Sequence, residues 1–139
     1  GMSGVCFSED VYSDEERQMI QNFFSSFGKM EVVPENLINA VTVASGSSPA
    51  FVYMFIDALA RAGVKHGMRK DQALQIATQS VLGSAKMIAE SSEHPWELVD
   101  RVCSPGGTTI EGVLSLKADG LETAVQNAVD AAVEKDSKL

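Results

Sequence analysis

The chain has 139 residues, the size of one ordinary domain, and its 45% apolar and 22% charged residues indicate a globular protein. Nineteen acidic and eleven basic residues give a net charge of −8, which argues against a nucleic-acid partner because non-specific nucleic-acid binding needs a basic face. The longest uninterrupted apolar run, residues 50–56, is far shorter than the ~20 residues of a membrane span. The N-terminus also has no signal-peptide pattern. We therefore expect a cytoplasmic protein with no membrane partner.

The first quarter of the chain is predicted to form a strand, a helix and a second strand. The strands cover residues 4–7 and 30–33, and Pro34 ends the second one. Ser13 has the position of a helix N-cap and Glu16 that of its capping-box partner. Three such elements are too few for an independent sheet, so we interpret them as the end of an α/β layer.

From Pro34 onward the pattern predicts helices throughout. A short helix to about residue 43 is followed by a break at residues 45–49, where Ser48 is the expected N-cap and Pro49 the first helical residue. The next helix, residues 49–65, is apolar on nearly every side. Such a helix must be buried on every side, and one domain of this size rarely supplies that cover. The pattern therefore predicts a subunit interface.

Four further helices are predicted after that one. They cover about residues 70–91, a short stretch after His94-Pro95, and residues 108–118 and 119–136. Asp57 is expected to pair with Arg61 one helical turn later. His94 is interpreted as a capping or surface residue, and Cys103 as a packing residue.

Neither a metal site nor a nucleotide loop is predicted. Cys6, Cys103, His66 and His94 are not at ligand spacing. The eleven glycines include no G-x-G-x-x-G motif and no G-x-x-x-x-G-K-[ST] motif. The phosphate loops that most nucleotide-binding folds use are therefore not in these residues.

The segment from Ser104 to Thr109 is the most informative stretch. Its Pro-Gly-Gly core permits close backbone approach, and a helix begins just after it. The free N–H groups and the positive dipole end of such a helix suit a carboxylate or a phosphate. The alternative is an ordinary turn between helices, with a threonine as N-cap.

Several segments stand out together in order and spacing. They are residues 41–51, residues 73–87, Glu93-His94-Pro95, Ser104-Pro105-Gly106-Gly107-Thr108-Thr109-Ile110 and residues 127–132. In these segments the chain resembles the pyrroline-5-carboxylate reductase family, from about residue 4 to the C-terminus.

The resemblance implies a mainly α fold and a homodimer. In the family, an N-terminal Rossmann domain binds NAD(P)H, and a C-terminal all-helical domain interlocks with its mate. The chain resembles the second part preceded by the last strand–helix–strand of the first. This implies a Rossmann remnant over residues 1–36 and a helical dimerisation and substrate-binding domain over residues 37–139. A higher oligomer of dimers is left open, and no NAD(P)H is expected on this chain.

The resemblance also implies site residues. A small carboxylate such as pyrroline-5-carboxylate or proline is implied to bind Ser104, Gly106, Gly107, Thr108 and Thr109. Thr109 is implied to be the catalytic residue, making a polar contact or handling a proton near the ring nitrogen. Ser47, Ser48 and Pro49 are implied to border the nicotinamide. The family usually has glycine at the position of Ser48, whose side chain narrows that cleft.

Two functions follow from these observations. The first is the dimerisation and substrate-binding part of an enzyme that reduces 1-pyrroline-5-carboxylate to L-proline with NAD(P)H, inactive without its dinucleotide-binding half. The alternative is a stand-alone, non-catalytic helical dimer module, with or without a site for a small carboxylate. A longer upstream reading frame favours the first, and a genuine start at Met2 favours the second.

Overall fold

The computed structural model describes residues 1–8 and 11–138. The predicted ranges 1–36 and 37–139 include residues 9, 10 and 139, which lie outside that description. As predicted, the fold is mainly α. The described elements are strands β1 (Met2–Val5) and β2 (Lys29–Val32) and helices α1 (Asp14–Ser25), α2 (Ile38–Thr42), α3 (Ser48–Lys65), α4 (Lys70–Glu90), α5 (Pro95–Val102), α6 (Thr108–Ala118) and α7 (Leu121–Asp136).

The N-terminal strands form a two-stranded parallel sheet. Met2 lies opposite Lys29 and Val5 opposite Val32, and helix α1 makes the crossover that parallel strands require. The predicted strand–helix–strand order is confirmed. The first strand begins two residues earlier than predicted and the second one residue earlier, because hydrogen-bonded pairing and not apolar content sets where each strand begins.

The predicted capping box at the start of α1 is present. The Ser13 N–H donates to Glu16 Oε2 over 2.8 Å, and the Glu16 N–H donates to Ser13 Oγ over 3.3 Å. Two N–H groups that have no partner within the helix are thereby satisfied, so Ser13 fixes the point at which the helix begins.

The same contacts lower the pKa of the Glu16 carboxyl. The Ser13 backbone N–H, and after it the Ser13 hydroxyl, hold the pKa of the Glu16 carboxyl below its ordinary value of 4.5. Because the pKa of this carboxyl is lower in the folded state than in the unfolded state, its ionised form stabilises the folded chain. This contribution to the free energy of unfolding is present above the unfolded-state pKa and is lost as the pH falls through the folded-state pKa. We expect NMR titration to give a Glu16 midpoint below the ordinary value for a glutamate carboxyl. In Ser13→Ala the Glu16 midpoint should move up only in part, because the backbone N–H at position 13 remains and only the hydroxyl is lost. A Glu16 midpoint at the ordinary value in the parent chain would show that the capping box does not form in solution.

The predicted break at residues 45–49 is wrong. Residues 43–47 form a π-helical turn, and the chain continues through it from α2 into α3. Ser45 Oγ donates to the Val41 carbonyl over 2.8 Å, and Ser48 Oγ donates to the Ala44 carbonyl over 2.6 Å. These hydroxyls bond backward to carbonyls instead of capping a new helix. The widened turn ends two residues before Pro49, which has no N–H to donate.

The chain divides into two compact units. One consists of residues 1–51 and 126–139, and the other of residues 52–125. In the first, Val43 is the largest fully buried side chain. In the second, α3 and α4 pack through Ala60, Ala73 and Ala77, with Ile56 against them. The boundary at residue 36 or 37 stays a prediction.

Most of helix α3 is not covered by its own chain. Ala60 is its one buried residue among those described, and the side chains of Tyr53 and Met54 are 68% and 72% exposed. Large apolar side chains exposed together on one helix are typical of a protein–protein interface.

The continuous helical stretch Glu35–Lys65 is, by length and composition alone, also long and apolar enough to cross a membrane. The estimate from the sequence counted only uninterrupted apolar residues, so it did not detect this stretch. The core helix of a soluble protein meets the same criterion, and Asp57, Arg61 and Lys65 place three charges in its second half.

Candidate functional site

The segment between α5 and α6 is a tight turn. The Gly107 N–H donates to the Ser104 carbonyl over 3.0 Å, Pro105 follows Ser104, and Gly106 has a φ of +68°. Proline at the second position and a left-handed residue at the third define a type II turn, and glycine is the residue that takes this φ without strain. Pro105 and Gly106 therefore encode the turn directly.

Gly107 is required for a different reason from Gly106. Its φ is −79°, which any residue adopts. A Cβ at Gly107 would lie 3.1 Å from the Ser104 carbonyl oxygen and closer still to Ser104 Oγ. A side chain at this position would displace the Ser104 hydroxyl and shift the turn backbone by a few tenths of an ångström. The Gly107 N–H already donates to the Ser104 carbonyl, so it is not free to bind a ligand. Gly107 can contribute only the space left by its missing side chain, through which a ligand can approach the backbone.

The N-terminus of α6 carries its first N–H groups without a side-chain cap. Gly107 is the N-cap, so the alternative with a threonine N-cap is wrong. Thr108 and Thr109 are the first two residues of the helix, and both are exposed. Their N–H groups and hydroxyls, with the exposed hydroxyl of Ser104, offer donors on a helix terminus with positive dipole character. This arrangement suits a small anion.

Helix α5, which leads into the turn, is fixed at its start by the Glu93-His94-Pro95 segment. His94 Nδ1 accepts from the Trp96 N–H over 3.2 Å, and Glu97 Oε2 accepts from the His94 N–H over 2.9 Å. Pro95 occupies the first helical position. The prediction that His94 is a capping residue is confirmed.

Two contacts of α5 were not predicted from the sequence. Glu93 Oε1 pairs with Arg101 in the last turn of α5, and the other Glu93 oxygen is buried without a hydrogen bond among the described residues. Lys117 Nζ lies 4.7 Å from the centroid of the Trp96 ring. Neither pair has a periodic spacing within one helix, so no sequence signal identifies it.

The predicted cofactor-bordering residues belong to the π-helical turn and the start of α3. Ser47 and Ser48 are half-buried, Pro49 is exposed, and the Ser48 hydroxyl is engaged by the Ala44 carbonyl. They lie in the first compact unit, and the turn from Ser104 to Thr109 lies in the second. Their proposed contact with the nicotinamide is a prediction.

The remaining candidates give no second site. Arg61 Nε donates to Asp57 Oδ2, as expected, and this contact raises the pKa of the Arg61 guanidinium above its ordinary value. Cys103 is a half-buried free thiol. Within residues 1–8 and 11–138, no three side chains of the histidine, cysteine and carboxylate types lie together as a metal site.

Comparison with known proteins shows what this turn and these helices belong to. A family described as "Pyrroline-5-carboxylate reductase dimerisation" matches residues 35–139. The pyrroline-5-carboxylate reductase of Escherichia coli K12 is 50% identical over all 139 residues, which correspond to 51% of that protein. The solved 1-pyrroline-5-carboxylate reductase of Streptococcus pyogenes superposes with a TM-score of 0.87 at 39% identity, over 98% of this chain and 53% of that one.

A second solved relative carries a cofactor. The pyrroline carboxylate reductase of Plasmodium falciparum, determined with NADP bound, superposes with a TM-score of 0.83 at 32% identity, over 96% of this chain and 51% of that one. The expectation that the full-length family uses NAD(P)H is thereby confirmed.

The chain belongs to the pyrroline-5-carboxylate reductase dimerisation family. Membership of a dimerisation family supports the formation of a homodimer. The chain spans about half the length of the curated relatives that it matches.

Proposed function

We propose that this chain supplies the dimerisation and substrate-binding half of a pyrroline-5-carboxylate reductase, working as a cytoplasmic homodimer. The observation that carries the proposal is the tight turn from Ser104 to Gly107, which leaves the amides at the start of α6 uncapped and exposed. The proposed reaction, suggested by family membership, is the reduction of 1-pyrroline-5-carboxylate to L-proline by NAD(P)H. Without a dinucleotide-binding half, the chain is expected to be inactive.

The residues of the turn would hold the substrate by its carboxylate. The N–H groups of Thr108 and Thr109 and the Ser104 hydroxyl are the donors proposed to bind it, and Gly106 and Gly107 keep side chains out of its path. The Thr109 hydroxyl is the group proposed to contact the ring nitrogen, which gains a proton when the imine is reduced. A bound NAD(P)H supplies the hydride to the imine carbon.

Cofactor contact is proposed for Ser47, Ser48 and Pro49. Because the Ser48 hydroxyl donates to Ala44, Ser48 would contribute packing surface toward the nicotinamide, and Ser47 would contribute a hydroxyl. The phosphate groups of a dinucleotide are bound by a glycine loop in Rossmann domains, and that motif is not in these residues. Tight NAD(P)H binding to this chain is therefore not expected.

The affinity for a carboxylate should be low. Two or three charge-assisted hydrogen bonds contribute about 1.5–3 kcal/mol each, and they must offset the lost freedom of the ligand. One face of the ligand would also stay in water in the absence of a cofactor half. We expect a millimolar Kd for L-proline, equivalent to about 4 kcal/mol.

Chemical-shift mapping with L-proline tests this proposal on the 139-residue chain. Saturating proline should move the amide signals of residues 104–110, and NADPH at micromolar concentration should leave the spectrum unchanged. Proline that moves other amides and leaves residues 104–110 unmoved would show that the assigned site is wrong. Micromolar NADPH binding would contradict the proposed division between the two halves.

A further inference from the structure

Helices α5 and α6 are connected at two places. At one end the type II turn joins Val102 to Thr108 through the hydrogen bond from the Gly107 N–H to the Ser104 carbonyl. At the other end Trp96, in the first turn of α5, contacts Lys117, the next-to-last residue of α6. Both helices belong to the same compact unit.

The contact between Trp96 and Lys117 has the geometry of a cation–π interaction. Lys117 Nζ lies 4.7 Å from the centroid of the indole ring, within the ~6 Å over which the ring attracts a cation. Tryptophan is the strongest aromatic partner for such a contact. The ammonium group therefore ties the end of α6 to the start of α5.

The Trp96 side of this contact is held in place independently of Lys117. The capping box formed by His94 and Glu97 fixes the first turn of α5, and the ion pair between Glu93 and Arg101 connects the segment before α5 to its last turn. Arg101 lies three residues before Ser104, where the turn begins. The position of α6 relative to α5 therefore depends on the turn at one end and on Lys117 at the other.

We infer that Lys117 is a positioning residue for the turn from Ser104 to Thr109 and that it acts through Trp96. Helix α6 is about 16 Å long, so a contact at its far end restrains how it swings about the turn. That angle sets how the N–H groups of Thr108 and Thr109 lie relative to the Ser104 hydroxyl. The inference rests on the proposed carboxylate site for its functional consequence, but the restraint itself is measurable without a ligand.

Hydrogen exchange of the Gly107 amide is the direct test on the 139-residue chain. Lys117→Met keeps the length of the side chain and removes its charge, and Lys117→Arg keeps a cation for the ring. The Gly107 amide should exchange about two- to fivefold faster in Lys117→Met, as an exposed cation–π contact predicts, and return toward the parent rate in Lys117→Arg. Amides in the middle of α4 should be unchanged in both variants.

Two further measurements make the outcome decisive. The fluorescence of Trp96, the single tryptophan in the sequence, should change in Lys117→Met and recover in Lys117→Arg. The Kd for L-proline should rise by the same factor as the exchange rate. An unchanged Gly107 exchange rate in Lys117→Met overturns the inference, and so does a failure of Lys117→Arg to restore the rate.

The inference and the proposed function fail in different ways. Faster Gly107 exchange in Lys117→Met together with no proline binding by the parent chain would support the restraint and overturn the carboxylate site. Proline binding that moves residues 104–110 equally in all three proteins, with unchanged exchange, would support the site and overturn the role of Lys117.

Discussion

Sedimentation should show the 139-residue chain as a homodimer at micromolar concentration and its Met54→Lys variant as a monomer. The Met54 side chain is 72% exposed on an α3 surface that the chain itself leaves uncovered. A second copy covering that surface would bury the new ammonium group without a partner, at a cost of about 3 kcal/mol or more per protomer. Because a dimer contains this substitution twice, its dissociation constant should rise about 10⁴-fold.

Ser25→Lys is the matched control for this result. Ser25 is exposed at the C-terminal end of α1, where a cation is favoured, and it lies outside the residues matched to the dimerisation family. This variant should sediment as the parent does. A stable folded monomer for the parent chain would contradict the dimer. A dimeric Met54→Lys would instead place the interface away from this face, and sedimentation above dimer would support a higher oligomer.

The second large effect is expected at Gly107, where valine should abolish measurable binding of L-proline. The Cβ of valine would meet the Ser104 carbonyl oxygen at 3.1 Å and the Ser104 hydroxyl more closely, so the hydroxyl has to rotate away and the turn has to shift. The N–H groups of α6 would then lose their alignment with Ser104. Thr109→Ala removes one hydroxyl and leaves the backbone in place, so we expect roughly a tenfold weaker Kd or less.

Gly112→Val controls for adding the same side chain to the same helix. A Cβ at Gly112 meets no atom within 4 Å, so this variant should bind proline as the parent chain does. Titration with L-proline monitored by chemical shift compares the three variants with the parent chain. Far-UV circular dichroism confirms that each variant keeps its helix content. If Thr109→Ala weakens binding more than Gly107→Val does, the hydroxyl and not the backbone geometry anchors the carboxylate.

The sequence by itself determined the elements whose signals are local. Ser13 and Glu16 specify a capping box through groups only three residues apart, and the helix begins where they predict. Pro105 and Gly106 specify a type II turn through the backbone angles that each favours. The order of helices and the family were visible for the same reason, because they depend on short motifs in a fixed order.

The break predicted at residues 45–49 failed because a serine hydroxyl has two uses. Ser-Gly-Ser-Ser-Pro suits a helix N-cap, but Ser45 and Ser48 instead bond to carbonyls four residues earlier within a continuous helix. Which bond forms depends on whether packing favours continuing the helix, and Val43, at 1% exposure, is buried in this segment. The local sequence does not contain that information.

The contacts around the proposed site were decided by tertiary structure alone. Arg101 reaches Glu93 across the length of α5, and Lys117 of α6 reaches Trp96 of α5. Residues eight and twenty-one positions apart meet only because the turn and the helix lengths bring them together. The same reasoning applies to α3: its composition predicts that it must be covered, but only the structure shows that its own chain leaves Tyr53 and Met54 exposed, because the neighbouring α4 contacts a single narrow face of it through Ala73 and Ala77.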